Sequence, residues 1–318
     1  MALPATLRRP RRISSRTEDL VFQGAVALLG VAVLGLAVGI GLSLAGEAGP
    51  ALWRFGPGFF ARSVWDPVRE DFGALPHIYG TLVTSLLALL IGGPVALGTA
   101  IFLAEFAPGW LRNPVSYLVE LLAAVPSVVY GLWGLFVLAP LLRTTVQPAL
   151  GNWLGFLPLF QGPYYGVGVF TGGLIVAIMV IPTIAAVSRD VIRAVPDDQR
   201  EAMLALGATR WETVRHAVLP AARSGIVGAA LLGLGRALGE TMAVTMVIGN
   251  RPEIPASLFG PGYTMAAVIA NEFAEATSDL HLSALFAVGF GLFVLTLLVN
   301  IAARVLVWRV AWGPVGGE

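Results

Sequence analysis

Six long apolar stretches limit what this chain can fold into more than any other feature. Each is long enough to cross the roughly 30 Å hydrocarbon core of a bilayer as a helix, which takes about 20 residues. The sequence therefore predicts an all-α, polytopic membrane protein with six transmembrane helices, referred to in chain order as spans one to six. The predicted spans cover residues 21–45, 75–103, 115–141, 167–187, 226–248 and 281–307.

The composition agrees with a bilayer environment and excludes several kinds of site. Only 12% of the 318 residues are charged, whereas soluble domains carry about 25%. All twenty basic residues are Arg, so the Lys that a nucleotide-binding P-loop requires is missing. The chain has no Cys and only three scattered His. Disulfides and thiolate sites are therefore excluded, and no metal centre is expected.

The distribution of Arg predicts the orientation of the spans. Fourteen Arg lie in the N-terminal tail, in the links after spans two and four and at the C-terminal end, and five lie in the remaining links. Cytoplasmic segments carry the excess of positive charge, so both termini are expected in the cytoplasm. The first apolar stretch has about 25 residues, too long for a secretory signal, and is interpreted as a signal anchor that stays in the membrane.

These boundaries give a simple domain organisation. We expect a basic cytoplasmic tail, a first transmembrane helix, an extracytoplasmic link, a core of five transmembrane helices and a short cytoplasmic C-terminal tail. The corresponding residues are 1–20, 21–45, 46–74, 75–309 and 310–318.

The long cytoplasmic connection at residues 196–220 carries signals for two short helices. Pro196 followed by two Asp is typical of a helix start, and Gly207 is a plausible stop. Thr209 and Glu212 have the spacing of a capping box for a second helix, which Pro220 is expected to end or kink. Such a pair of helices either rests on lipid headgroups or forms a docking element.

The same segment resembles a known motif. Glu201-Ala202-Met203, then Gly207, then Leu219-Pro220 resembles the EAA loop of binding-protein-dependent ABC importer permeases, although Met203 and Ala217 depart from the usual residues. The resemblance implies a type I (MetI-like) permease fold, with a coupling helix that sits in a groove of a separate ATPase. The residues that it implies for ATPase docking are Glu201, Ala202, Gly207, Ala208, Leu219 and Pro220.

Three further segments narrow the resemblance. Residues 72–108, 123–140 and 235–244 resemble the PstC-type permeases of phosphate ABC importers. This implies a non-catalytic subunit of the inner membrane that passes phosphate to the cytoplasm by alternating access. The implied partners are a PstA-type second permease, two copies of a PstB-type ATPase and a PstS-type extracytoplasmic phosphate-binding protein. ATP and Mg²⁺ would be bound by the ATPase, and this chain itself would bind no cofactor.

Arg236 and Glu240 are the most informative charged residues. Their i, i+4 spacing would place them on one helix face about 6 Å apart along the axis, near the middle of span five. Ionisable residues at that depth are costly unless they are paired or face water, and a guanidinium suits an oxyanion. The pair is therefore a candidate for the translocation pathway. Alternatively it is a structural ion pair, supported by close packing at Gly235 and Gly239.

Four hydroxyl-bearing residues are weaker pathway candidates. Thr81 and Ser85 share a face of span two, and Ser127 and Tyr130 follow Pro126 in span three. Hydroxyls could donate to phosphate, but they more often bond to their own helix backbone, which is the favoured interpretation.

Two other functions stay open at this stage. Arg236 would serve an importer of molybdate or sulfate equally well. An ion-coupled carrier without an ATPase would use Glu240 as a proton site, although a carrier has no need of a docking element. No spacing of nucleophile, base or metal ligands supports a membrane enzyme.

Overall fold

The computed structural model describes residues 15–312. Most of the predicted basic tail, residues 1–14, and the last six residues of the predicted C-terminal tail lie outside the described residues.

The described chain is almost entirely helical. Fourteen α-helical segments are numbered here in chain order, and several of them join through π turns into longer rods. They are α1 (Ser15–Glu47), α2 (Gly49–Phe55), α3 (Leu75–Ile101), α4 (Gly109–Ala124), α5 (Ser127–Trp133), α6 (Ala139–Leu141), α7 (Gln147–Leu154), α8 (Val169–Arg193), α9 (Asp197–Ala205), α10 (Arg210–Thr213), α11 (Leu219–Leu238), α12 (Met242–Val247), α13 (Met265–Glu272) and α14 (Asp279–Trp312). The π turns are Phe102–Phe106, Gly134–Leu138, Leu142–Val146 and Val214–Val218.

The predicted number of spans is confirmed. Six helical rods in the described part of the chain are long and apolar enough to cross a membrane. Spans one, two, four and six lie close to their predicted positions. The six rods are Asp19–Glu47, Leu75–Phe106, Ser127–Leu154, Val169–Arg193, Arg210–Leu238 and Asp279–Val305.

The prediction of one continuous third helix over residues 115–141 is wrong. Helix α4 ends at Ala124, and a separate rod begins at Ser127. Pro126 has no backbone N–H to donate and disfavours helical geometry at Val125, whose φ and ψ are extended. The mostly apolar stretch continues through Pro126, but the helix ends before it.

The predicted fifth span is also corrected. The rod begins at Arg210, sixteen residues earlier than expected, and ends at Leu238. The second short helix of the 196–220 connection is thus the first part of span five and not a separate element. Pro220 does not end it. The π turn Val214–Val218 lies immediately before Leu219, where proline removes the usual donor to residue 216.

Helices α3 and α8 form the centre of the bundle. In the most apolar window of α8, 67% of residues are buried, against 6% in α1, so α8 is enclosed by other helices and α1 lies at the periphery. A Cβ at Gly92 of α3 would meet the Ala177 carbonyl oxygen of α8 at 2.8 Å. Glycine therefore lets the two backbones approach closely.

The link between spans one and two is folded over the end of the bundle. Two short antiparallel strands, Trp65–Asp66 and Asp71–Phe72, pair Trp65 with Phe72. Both side chains are buried with Phe59 in one hydrophobic cluster. These three aromatic side chains therefore pack against protein. Of the two Trp residues in the link, only Trp53 is highly exposed, at 91%.

Candidate functional site

Span five is interrupted at residues 239–241. Helix α11 ends with Gly239 as its C-cap, and the short helix α12 begins at Met242. The Glu240 carboxylate accepts a hydrogen bond of 3.3 Å from the Ala243 backbone N–H. Glu240 therefore satisfies one of the free N–H groups at the start of α12.

Arg236 lies in the last turn of α11. Its Nη1 donates a hydrogen bond of 3.1 Å to the Thr183 hydroxyl of α8. Thr183 is about fourteen residues after Val169 and about ten before Arg193, which places it about 15–20 Å from either end of that span. The guanidinium therefore lies beside the middle of α8, although Arg236 itself is near the end of α11 and not, as predicted, in the middle of span five.

The predicted ion pair does not form. Because α11 ends before Glu240, the i, i+4 relation on a continuous helix does not apply. Among the salt bridges of residues 15–312, none joins Arg236 to Glu240. The two half-buried side chains lie on either side of the break, with separate partners on α8 and α12.

Tyr130 joins this site from span three. Helix α5 approaches α12 so closely that a Cβ at Gly131 would lie 3.1 Å from the Ala243 Cα. The Tyr130 hydroxyl donates to the Leu122 carbonyl of α4 at 2.9 Å, so it bonds to the backbone of a neighbouring helix and not, as the favoured interpretation expects, to that of its own helix. Ser127, the first residue of α5, is half-buried one turn before Tyr130.

Thr81 and Ser85 have other surroundings. The Thr81 hydroxyl donates to the His77 carbonyl at 2.8 Å and accepts from the Met265 N–H at 2.9 Å, so it ties α3 to α13. Ser85 is buried and its Oγ has no protein hydrogen-bond partner. Backbone bonding accounts for Thr81 and not for Ser85. Neither contact involves the break in span five.

Thr183 is a partner of Arg236 that the sequence does not single out. A hydroxyl directly after Pro182 inside an otherwise apolar span was the available signal. Its role became visible only when α11 was packed against α8.

A second site is formed by α9, called here the docking helix. It starts after Pro196 with Asp197 and Asp198 in its first turn, and none of its residues is buried. Gly207 follows it with φ of +86°, and the Ala208 N–H donates to the Met203 carbonyl at 3.1 Å. The predicted helix start and glycine stop are both present.

The predicted capping box is also present. The Thr209 side chain accepts from the Glu212 N–H at 3.3 Å, and the Glu212 carboxylate accepts from the Thr209 N–H at 2.7 Å. This box begins the rod that becomes span five.

The structure brings together only part of the predicted docking set. Glu201, Ala202 and Gly207 are exposed, and Ala208 is half-buried beside them. Leu219 instead packs against a buried cluster that contains Ile192 and Val218. Pro220 is exposed but lies further along span five.

The described residues contain no group of three or more His, Cys, Asp or Glu that could hold a metal ion. The geometry of the two sites instead offers a mid-depth cation for an anion and an exposed helix for a protein partner.

Comparison with known proteins relates this chain to transport proteins of the inner membrane. The profile of the family described as "Binding-protein-dependent transport system inner membrane component" matches residues 92–312. The chain is 46% identical to the "Phosphate transport system permease protein PstC" of Mesorhizobium japonicum, over 97% of this chain and 96% of that protein. It is 47% identical to the protein of that name in Haemophilus influenzae, over 95% and 98%. It is 42% identical to PstC 2 of Mycobacterium tuberculosis, over 99% and 97%.

Solved structures share the fold at lower identity. A chain of a bacterial alginate ABC transporter aligns with a TM-score of 0.60 and 17% identity, covering 95% of this chain and 99% of that chain. A chain of the inward-facing MetNI methionine ABC transporter aligns with a TM-score of 0.54 and 20% identity, covering 74% and 94%.

Proposed function

The chain belongs to the family of binding-protein-dependent transport system inner membrane components, and on this basis we propose that it is the permease subunit through which an ABC importer moves inorganic phosphate into the cytoplasm. The assignment of phosphate as the substrate rests on the 46–47% identity, over nearly the whole chain, to permeases named for phosphate transport. Molybdate and sulfate are also oxyanions that a guanidinium would bind, but the relatives favour phosphate over both.

The break in span five supplies the chemistry for a transient anion site. Arg236 stays charged under all working conditions, and its planar fork of N–H donors fits a phosphate. At rest one of its N–H groups is used by Thr183. An entering phosphate takes donors from Arg236, and the Thr183 hydroxyl helps to hold the guanidinium towards it.

Glu240 limits how tightly the anion is held. Its carboxylate occupies the start of α12, where a second anion would otherwise be favoured. Like charges repel, so Glu240 lowers the affinity of phosphate beside Arg236 and favours its release. Weak binding suits a pathway, because an ion that is held tightly does not move on.

The docking helix assigns the energy source to another chain. Exposed Glu201, Ala202 and Gly207 form the surface that a cytoplasmic ATPase would receive. The full importer then contains this chain, a second permease, two ATPase subunits that bind ATP and Mg²⁺, and an extracytoplasmic phosphate-binding protein. The chain is a multi-pass protein of the inner membrane with both termini in the cytoplasm, and it performs no catalytic step. An ion-coupled carrier would leave the docking helix without a use.

Uptake of labelled phosphate tests this function. Cells that lack high-affinity phosphate import receive this chain with its partner subunits, either as wild type or as Arg236→Ala, at matched membrane levels. We expect Arg236→Ala to reduce uptake about ten- to a hundredfold, the range for losing a charged hydrogen bond worth about 1.5–3 kcal/mol. Arg236→Lys should be intermediate, and exposed Arg69→Ala should match wild type.

Competition by other oxyanions tests the identity of the substrate, and the Arg236→Ala variant tests the site. Uptake that excess sulfate or molybdate suppresses would contradict phosphate as the substrate. Full activity of Arg236→Ala would leave phosphate in place and reduce Arg236 to a packing contact. An assembled complex that hydrolyses ATP without importing phosphate would also contradict the substrate.

A further inference from the structure

The docking helix has little apolar contact with the rest of the protein. None of its nine residues is buried, and a cavity of about 200 Å³ separates part of it from the spans, lined by Leu204 on one side and Phe106 and Val214 on the other. A helix packed so loosely cannot transmit movement through a hydrophobic interface. Apart from its chain connections to α8 and to the rod of span five, the docking helix is held by a few specific contacts.

Arg200 supplies those contacts. Its side chain is only 17% exposed, although its helix is otherwise open. Its Nη2 and Nε donate to one Glu105 carboxylate oxygen at 2.8 and 3.3 Å. Nη2 also donates to the Ile192 carbonyl at 2.9 Å, and Nη1 donates to the Val195 carbonyl and, at 3.1 Å, to the Asp197 carboxylate. One guanidinium thus joins three parts of the chain.

The Glu105 end of this contact belongs to span two. Glu105 lies in the π turn Phe102–Phe106 that ends the span, and its side chain is 14% exposed. A carboxylate at that burial depends on its partner, because losing one member of a buried pair leaves an uncompensated charge. π turns are also sites where a helix tolerates a local change of hydrogen bonding.

The two carbonyls belong to span four. Ile192 lies in the last turn of α8, and Val195 follows the end of that helix at Arg193. The Ile192 carbonyl already accepts from the Val195 N–H at 3.3 Å, and Arg200 adds a charged donor to it and to the Val195 carbonyl. Spans two and four are the closely packed pair at the centre of the bundle. The docking helix is thereby tied to both central spans through one side chain.

We propose that the Arg200–Glu105 pair is the link through which displacement of the docking helix by the ATPase reaches spans two and four, so that both are positioning residues for transport. This inference rests on the proposed function. Because the docking helix lacks a buried face, loss of the pair leaves only its short chain connections to α8 and to the rod of span five, so the ATPase displaces spans two and four less effectively. ATP hydrolysis then continues while phosphate import falls.

The test measures phosphate imported per ATP hydrolysed by the full complex in proteoliposomes supplied with the binding protein. Glu105→Gln removes the charge attraction with little change in size, and Arg200→Gln removes the guanidinium together with its bonds to the two carbonyls. Glu120→Gln is the matched control: Glu120 pairs with Arg189 at 3.1 Å between α4 and α8, away from the docking helix. We expect each of the first two variants to lower the ratio about tenfold, equivalent to about 1.4 kcal/mol, and the control to leave it unchanged.

Two further variants distinguish a link from a merely stabilising contact. The double variant Glu105→Gln with Arg200→Gln should be no worse than Arg200→Gln alone, because that single change already removes the interaction with Glu105. Arg200→Lys keeps the charge without the fork and should restore part of the ratio. If uptake and ATP hydrolysis fall together, with an unchanged ratio, or if the double variant is additive, the proposal is wrong.

A distance measurement that does not depend on phosphate tests the Arg200–Glu105 link separately from the identity of the substrate. The chain has no Cys, so with Cys-free partner subunits nitroxide labels attach only at Leu206→Cys, next to the docking helix, and Val95→Cys in span two. In wild type, the distance between the two labels should be the same in nucleotide-free and ATP-trapped complexes. In Glu105→Gln, that distance should differ between the two nucleotide states. A shift already present in wild type would contradict the link. A wild-type complex that imports no phosphate would contradict only the substrate.

Discussion

Gly207, which follows the docking helix, has a backbone φ of +86°, a value that L side chains seldom adopt. A Cβ built there meets nothing within 4 Å. The requirement for glycine is therefore conformational and not steric. Substitutions at Gly207 therefore test the effect of backbone conformation on the helix end without an added steric clash.

Gly207→Val should destabilise the end of the docking helix by about 1–2 kcal/mol, the cost of a left-handed residue with a side chain. Gly207→Asn should cost less, because Asn tolerates this region. Hydrogen exchange of the backbone amides of residues 203–208 measures the difference. Equal exchange in the two variants would show that backbone conformation does not control the site.

At the scale of single residues, the sequence predicts features that depend on neighbouring residues and does not predict contacts between residues far apart in the chain. The Thr209–Glu212 box and the Gly207 stop were predicted because each depends on residues within a few positions. The Arg236–Glu240 pair was not found, since its prediction assumed an unbroken helix. The partner of Arg236, Thr183, lies 53 residues away, and only tertiary packing brings it close.

The packing of span two depends on which of its glycines face a backbone. A Cβ at Gly80 would lie 2.9 Å from the Tyr263 carbonyl carbon, whereas one at Gly98, in the same helix, would meet nothing within 4 Å. Both positions are helical. The two therefore allow helix propensity and close packing to be measured separately.

Gly80→Ala should lower stability by about 1–3 kcal/mol, as overpacking does. Gly98→Ala should raise it by up to about 1 kcal/mol, since Ala is the better helix former. Thermal unfolding of the purified chain in detergent, followed by loss of the monodisperse peak, measures both. Similar effects at the two positions would contradict the close approach at Gly80.

The extent of each span was harder to predict than its existence. Hydropathy reports whether a segment is stable in lipid and not whether its helix is continuous. The mostly apolar stretches continue past Pro126 and Gly239, so the predicted spans three and five run through these two positions, where the helices end. Their hydrogen bonds are satisfied by neighbours such as Tyr130 and Glu240, which composition does not reveal.

For the whole molecule, the orientation in the membrane follows from Arg counts and is directly testable. Val68, in the turn between the two strands, is 93% exposed, and Leu206 is 85% exposed. The two lie at opposite ends of the bundle. A chain without native Cys gives an unambiguous signal from a single introduced thiol.

In intact cells a membrane-impermeant maleimide should label Val68→Cys and not Leu206→Cys. Leu206→Cys should react only after the membrane is made permeable. The reverse pattern would place the termini outside and contradict an ATPase at the docking helix. Gel mobility of the labelled chain provides the measurement, and the unmodified chain is the control.

The π turn Val214–Val218 makes the residue count between the docking helix and the interior of span five a structural constraint. A π turn contains one residue more than an α-helical turn, and each residue of an α-helix advances the direction of its side chains by about 100°. Deleting one residue here would restore a regular helix and rotate the preceding segment by about that angle. Trp211, now 6.4 Å from the Phe106 ring, would face another direction, and Arg200 would be carried away from Glu105. The angular phase of this rod, as much as its composition, decides whether the two ends of the protein act together.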